Sequence, residues 1–161
     1  MTKPLWLMDV DGPLNILHNR LPGPDIKTFK AGNGFHIMFK PDILDRLAGL
    51  HEKGLVELQW LTTWEELADI HLAEELGLPR GLVVAGTHKD DDGKFFWWKH
   101  NAASRLLNEG HRLIWTDDDL AFEVEAREWL DAQDPQQIIW NGPDEKVGIT
   151  HEFIDRVENW I

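Results

Sequence analysis

Residues 5–15 read LWLMDVDGPLN, an apolar run that stops abruptly at two aspartates separated by one residue. Leu5 to Met8 has the length and composition of a short buried strand, and Asp9, Asp11 and Gly12 fall where it gives way to a loop. Burying unpaired charge is costly, so two carboxylates at the end of a core strand call for a partner. A hard divalent cation held by oxygen ligands, Mg²⁺ first among them, is the simplest one. The alternative is a solvated Asp/Gly turn with no ligand at all.

Outward from this stretch, short apolar runs alternate with amphipathic segments. Ile26 to Lys30, the turn Ala31-Gly32-Asn33-Gly34, and Phe35 to Phe39 read as a β-hairpin. Pro41 opens a helix over Asp42 to Lys53, which Gly54 ends. Strands are expected at Leu55–Leu61, Leu82–Ala85, Arg112–Trp115 and Gln137–Trp140. Helices are expected at Glu65–Leu76, from Trp98 or Lys99 to about Glu109, at Ala121–Ala132 and at Thr150–Trp160. Alternation of this kind, with near-continuous apolar strands, predicts one α/β domain over residues 1–161 with a mainly parallel sheet covered on both faces.

Composition narrows the chemistry. With 161 residues, 42% hydrophobic and 28% charged, the chain can bury a proper core. It has no apolar run near the roughly 20 residues of a membrane span and no signal-peptide pattern, so no membrane partner and a cytoplasmic location are expected. Cysteine and tyrosine are absent and Ser104 is the only serine, inside an expected helix, which argues against cysteine and serine nucleophiles. A net charge of −13 disfavours a broad nucleic-acid surface, although Lys27, Lys30, Lys40 and Arg46 could form a local basic strip.

In an open parallel sheet the site lies beyond the carboxyl ends of the strands. Asp9 and Asp11 follow the first strand, Thr62 and Thr63 the second, and Asp117, Asp118 and Asp119 a later one, while Lys99 starts the helix before that last strand. Carboxylates to hold a metal and to attack, with a hydroxyl and an ammonium for phosphate oxygens, suit phosphoryl transfer. Either threonine could instead cap the following helix. Lys94 competes with Lys99, and Asp119 is expected to cap the helix after it.

The segments DVDGPLN, WLTTW, FFWWKHNAA and LIWTDDDL resemble, in order, the four motifs of the haloacid dehalogenase (HAD) superfamily. WLTTW and the ending VGITHEFIDRVENWI are similar to a group of small bacterial HAD-domain proteins, including those likened to HAD modules of RNA-repair proteins. The resemblance implies a Rossmannoid three-layer sandwich. It implies a Mg²⁺-dependent phosphatase with Asp9 as the nucleophile that forms an aspartyl-phosphate and Asp11 as general acid and then base. The metal would sit among the Asp9 carboxylate, the Asp11 backbone carbonyl and Asp117 or Asp118. Thr62, or Thr63, would bind phosphate, and Lys99 would offset the charge on Asp9. An acid at position 11 distinguishes phosphatases of the family from its dehalogenating members.

Residues 16–41 leave room for only a hairpin flap, and 65–98 for no large insert, so the chain resembles capless members with an open site. Such a site suits a large phosphorylated substrate, a nucleic-acid end, or completion by a partner chain. Trp64, and less directly His18, are candidates for substrate contact. A binding or regulatory module of the same fold, retaining the metal site without turnover, is the alternative. The eight histidines show no zinc pattern.

Overall fold

The computed structural model describes residues 2–17, 23–90 and 94–161. Five parallel strands form the central sheet: β1 (Leu5–Met8), β4 (Glu57–Trp60), β5 (Val83–Val84), β6 (Leu113–Thr116) and β7 (Ile138–Asn141), in the order β5-β4-β1-β6-β7. The hairpin β2 (Lys27–Lys30) and β3 (His36–Phe39) stands apart as a two-stranded antiparallel unit, Lys27 opposite Phe39 and Lys30 opposite His36. β1 is the central strand, paired in register with β4 (Met8 beside Trp60) and β6 (Met8 beside Thr116).

Successive strand residues point to opposite faces, so every second residue of β1 serves a different core. Trp6 and Met8 pack with Leu44 and Leu47 of α1 (Pro41–Glu52), with Leu72 and Leu76, and with Phe153, Ile154 and Val157 of α6 (His151–Trp160). Leu5 and Leu7 pack on the other side with Ala102, Ala103 and Leu106 of α4 (Trp98–Asn108) and with Ala126 and Leu130 of α5 (Val124–Asp131). The result is the expected α/β arrangement, a sheet between two helical layers. No helix among the described residues is long and apolar enough to cross a membrane.

Two expected helices are shorter and broken. The segment read as Glu65–Leu76 is α2 (Glu66–His71) and α3 (Ala73–Leu76), parted at Leu72, whose φ of −122° is not helical. Ala68, Leu72, Ala73 and Leu76 are all buried, and the break turns the last three into the core together. The segment read as Ala121–Ala132 begins instead with a 3₁₀ turn, Asp118–Ala121, and becomes helical only at Val124. That turn is capped by Asp117, which accepts from the Asp119 N–H; Asp119 is therefore the capped residue rather than the cap. A buried acceptor at position 117 determines where the turn starts, and periodicity carries no trace of it. The remaining elements lie within one or two residues of their expected ends.

Leu47 is wholly buried at the α1–sheet interface and Phe122 is 78% exposed. In denaturant titrations Leu47→Ala should cost about 2–5 kcal/mol. Phe122→Ala should change stability by no more than about 0.5 kcal/mol.

Candidate active site

The three central strands end side by side, and each delivers a polar residue to the same edge. Asp9 follows β1, its N–H donating to the Thr116 carbonyl at 3.0 Å. Asp117 follows β6, tied to the end of β7 by its N–H on the Asn141 carbonyl at 3.2 Å. Thr62 lies two residues beyond β4, is fully buried, and hydrogen-bonds the Asp9 carboxylate. α4 supplies the cation from behind: packed on the sheet by Ala102, Ala103 and Leu106, it buries Lys99 in its first turn. The Lys99 Nζ lies 2.6 Å from Asp117 Oδ2 and 3.2 Å from Asp9 Oδ2.

Asp9, Asp117 and Asp118 each place a carboxylate oxygen within 4.8 Å of the others. With all four groups ionised, three carboxylates against one ammonium would leave two negative charges in excess, and burial first, with this imbalance second, sets the protonation of the cluster. Burial resists the charge on Lys99, but Asp117 and Asp9 outweigh it and hold the ammonium above its ordinary range. Burial also lifts Asp9, against the pull of Lys99, the Val10 N–H and the Thr62 hydroxyl. Asp117 is pushed well up, by burial first and by Asp9 second. Asp118 is pushed up to about 7 by its own burial and by Asp9 and Asp119.

The two candidate aspartates after β6 are not equivalent. Both oxygens of Asp117 are taken, Oδ1 by the Asp119 N–H at 3.0 Å and Oδ2 by Lys99. Asp118 is half-buried, and its carboxylate accepts a hydrogen bond from its own backbone N–H. Its side chain lies over Gly12, where an added Cβ would meet Asp118 Cγ at 2.4 Å, and Gly12 itself has a φ of +98°. A side chain at position 12 is thus excluded by both backbone and space.

Asp11 stands beside the cluster rather than in it. Its Oδ1 accepts from Asn15 Nδ2 at 2.8 Å and its Oδ2 from Trp64 Nε1 at 2.9 Å. The Trp64 indole N–H is thereby engaged, and its half-buried ring meets the exposed Phe35 edge-on, centroids 5.6 Å apart. The Thr62–Glu65 turn aims it there, with Glu65 at a φ of +49° and its N–H on the Thr62 carbonyl at 3.0 Å. Of the two threonines, Thr62 reaches Asp9 and Thr63 is exposed, and neither side chain caps α2. Lys94 is exposed near the Phe95 ring, which leaves Lys99 as the lysine at the cluster. His18 lies outside the described residues.

Of the four cations considered for a basic strip, Lys27, Lys30, Lys40 and Arg46, three have other surroundings in the structure. Arg46 contacts Asp155 at 2.7 Å and Glu158 at 3.0 Å, and Lys40 donates to the Val147 carbonyl at 2.6 Å. Lys27 borders a groove with Asp45, Glu74 and Glu75. The larger groove along β7, about 670 Å³ and walled by Trp140, Trp160 and Arg156, is lined by none of the clustered aspartates.

Sequence reading missed Asn15 and His100. Asn15 is buried beside the first motif, and a buried amide two residues past a Gly-Pro turn is a signal that such a reading can use. His100, next to Lys99, is buried, stacked 3.5 Å from Phe95, and neither ring nitrogen has a hydrogen-bond partner among the described residues. Burial, with a smaller push from Lys94, lowers it from 6.5 to about 4.

The unfolded chain therefore binds a proton on His100 between about pH 6.5 and 4 where the folded chain does not. In EDTA the His100 contribution to folding stability should fall as pH drops through that window, opposite in sign to that of Asp118, whose raised carboxyl binds its proton more readily in the folded state. The stability difference between wild type and His100→Phe should change only there and stay constant above it. In the same metal-free protein, Asp118→Asn should raise the thermal midpoint by a few degrees, since it removes one of three mutually repelling carboxylates.

Comparison with protein-family models, with curated proteins and with solved structures finds no match to this chain.

Proposed function

We propose that the protein is a divalent-cation-dependent phosphomonoesterase of the HAD type, with Asp9 as nucleophile and an open site bordered by the β2–β3 hairpin. The observation that carries this reading is the cluster itself. Asp9, Asp117 and Asp118 converge around the buried Lys99 at the carboxyl ends of the central strands, with Asp11 alongside. Chain order supports it too, since the four motifs supply these residues as the resemblance implies.

The donor set fits a hard cation. Its oxygens are carboxylate, its excess charge is negative, and Asp118 is only half-buried where Asp9 and Asp117 are buried. Asp9 and Asp118 are the proposed direct ligands, with the Asp11 carbonyl as the resemblance implies, while Asp117 secures Lys99. When bound, Mg²⁺ would supply neutralising charge for the phosphoryl oxygens and relieve the repulsion within the cluster.

The chain's own residues do the rest. An Asp9 oxygen attacks phosphorus, the bond to the leaving oxygen breaks, and the Asp11 carboxyl gives that oxygen its proton. Asp11 then takes a proton from water, whose oxygen attacks the phosphorus of the acyl phosphate and returns Asp9 as carboxylate. Thr62 and Lys99, both in contact with Asp9, hold it oriented and reduce its repulsion of an incoming dianion. The dispersal of Lys40 and Arg46 among other partners favours small phosphomonoesters over nucleic-acid ends.

Hydrolysis of 4-nitrophenyl phosphate with Mg²⁺ should stop with EDTA and fall by at least about a thousandfold in Asp9→Asn. No turnover by the Mg²⁺-loaded protein across a broad phosphomonoester panel would overturn the reading. Titration calorimetry with Mg²⁺ separates the alternative: a binding module would keep cation binding yet form no beryllofluoride adduct on Asp9. In either case Asp118→Asn should abolish the binding heat and Thr63→Ala should not.

A further inference from the structure

We infer that the β2–β3 hairpin sets the orientation of the Asp11 carboxylate through Asn15 and Trp64, which act as positioning residues. The chemistry of this inference rests on the phosphatase reading above, whereas its geometry stands on contacts that do not depend on it.

Two separate limbs join the hairpin to the two oxygens of Asp11. On one, Asn15 Nδ2 donates to Asp11 Oδ1 at 2.8 Å, while Asn15 Oδ1 accepts from the backbone N–H of Met38, in β3, at 2.9 Å. The Met38 amide can only donate, so the Asn15 oxygen must face it and the Asn15 NH₂ must face Asp11. Neither Asp nor Leu at position 15 could serve both neighbours. The Ile16 N–H on the Met38 carbonyl at 2.7 Å locks the same pair of backbones. On the other limb, Trp64 Nε1 donates to Asp11 Oδ2 at 2.9 Å, and the Trp64 ring is braced by Phe35 at the hairpin turn. Phe35 is 63% exposed, and its ring contact with Trp64 joins the hairpin turn to the body of the protein.

The carboxylate plane of Asp11 is thereby held at both oxygens by donors that answer to the hairpin. A carboxylate has about four lone-pair sites, so each oxygen keeps one free for a proton or a leaving group. Hairpin seating determines where those free sites point. The step served is the first proton transfer: the Asp9 oxygen–phosphorus bond forms, the phosphorus–oxygen bond breaks with its electron pair on the leaving oxygen, and the Asp11 proton goes to that oxygen.

This step matters unequally among substrates. 4-Nitrophenolate departs without a proton, and an alkoxide does not. With Mg²⁺ bound, Trp64→Phe keeps a ring and removes the N–H; kcat for an alkyl phosphate such as glycerol 2-phosphate should fall about 10- to 100-fold. For 4-nitrophenyl phosphate the pre-steady-state burst of nitrophenolate, which reports the attack of Asp9 before Asp11 acts as base on water, should slow no more than about threefold, with KM little changed for either substrate. Phe35→Ala, which truncates a side chain 63% exposed, should show the same selectivity to a smaller extent. Equal losses on both substrates, or none on either, would overturn the inference. The second readout needs no turnover. The Trp64 indole N–H, identified by its disappearance in Trp64→Phe, should exchange with solvent at least about fivefold faster in Phe35→Ala. Unchanged exchange would overturn the coupling even in an active enzyme. If wild type hydrolyses neither substrate, the phosphatase reading falls, and the coupling stands or falls on exchange alone.

Discussion

The buried ammonium of Lys99 is the interaction on which the site depends. Asp9 and Asp117 emerge from adjacent strands into a nearly dry environment, and without a cation between them two carboxylates could not remain charged so close together. The ammonium sits there because α4 lies flat on the sheet through small residues, Ala102 and Ala103, which let its first turn approach the strand ends. Core packing at one end of α4 and electrostatics at the other are thus one arrangement. Its charge balance stays incomplete, because a third carboxylate, Asp118, lies within reach. That residual negative charge is a stability cost with a functional sense, since a divalent cation would remove it.

Around this centre the polar groups divide into two sets. Lys99, Thr62 and the Asp119 N–H hold Asp9 and Asp117 rigidly from within the domain. Asp11, two residues from Asp9, is held from the opposite side by Asn15 and Trp64, both linked to the hairpin. Neighbouring carboxylates in sequence therefore answer to different parts of the structure. In the proposed mechanism that separation suits a nucleophile that stays oriented and an acid whose proton transfers depend on what lies over the site.

The architecture was largely legible in the sequence because it rests on local patterns. Apolar runs of four residues, Pro41 at a helix start, Gly54 after its end and the Gly-rich hairpin turn all placed their elements within a residue or two. The failures arose where a tertiary contact overrode periodicity. Leu72 leaves the helix because the core takes it together with Ala73 and Leu76, and the turn after β6 is shaped by the buried Asp117 side chain.

For the site, the sequence by itself determined the residue types and their order at the strand ends: Asp9 and Asp11, Thr62, Lys99, Asp117 and Asp118. A β-strand's end and a helix's start are local properties, so their polar residues can be placed on one edge without coordinates. Only the tertiary structure decided which atoms meet. It put Lys99 rather than Lys94 between the carboxylates, and Thr62 rather than Thr63 on Asp9. It engaged both oxygens of Asp117, with Lys99 and the Asp119 N–H, and it turned the Trp64 indole toward Asp11. Those outcomes depend on side-chain direction across contacts spanning up to about a hundred residues of chain, and one-dimensional spacing carries no information about them.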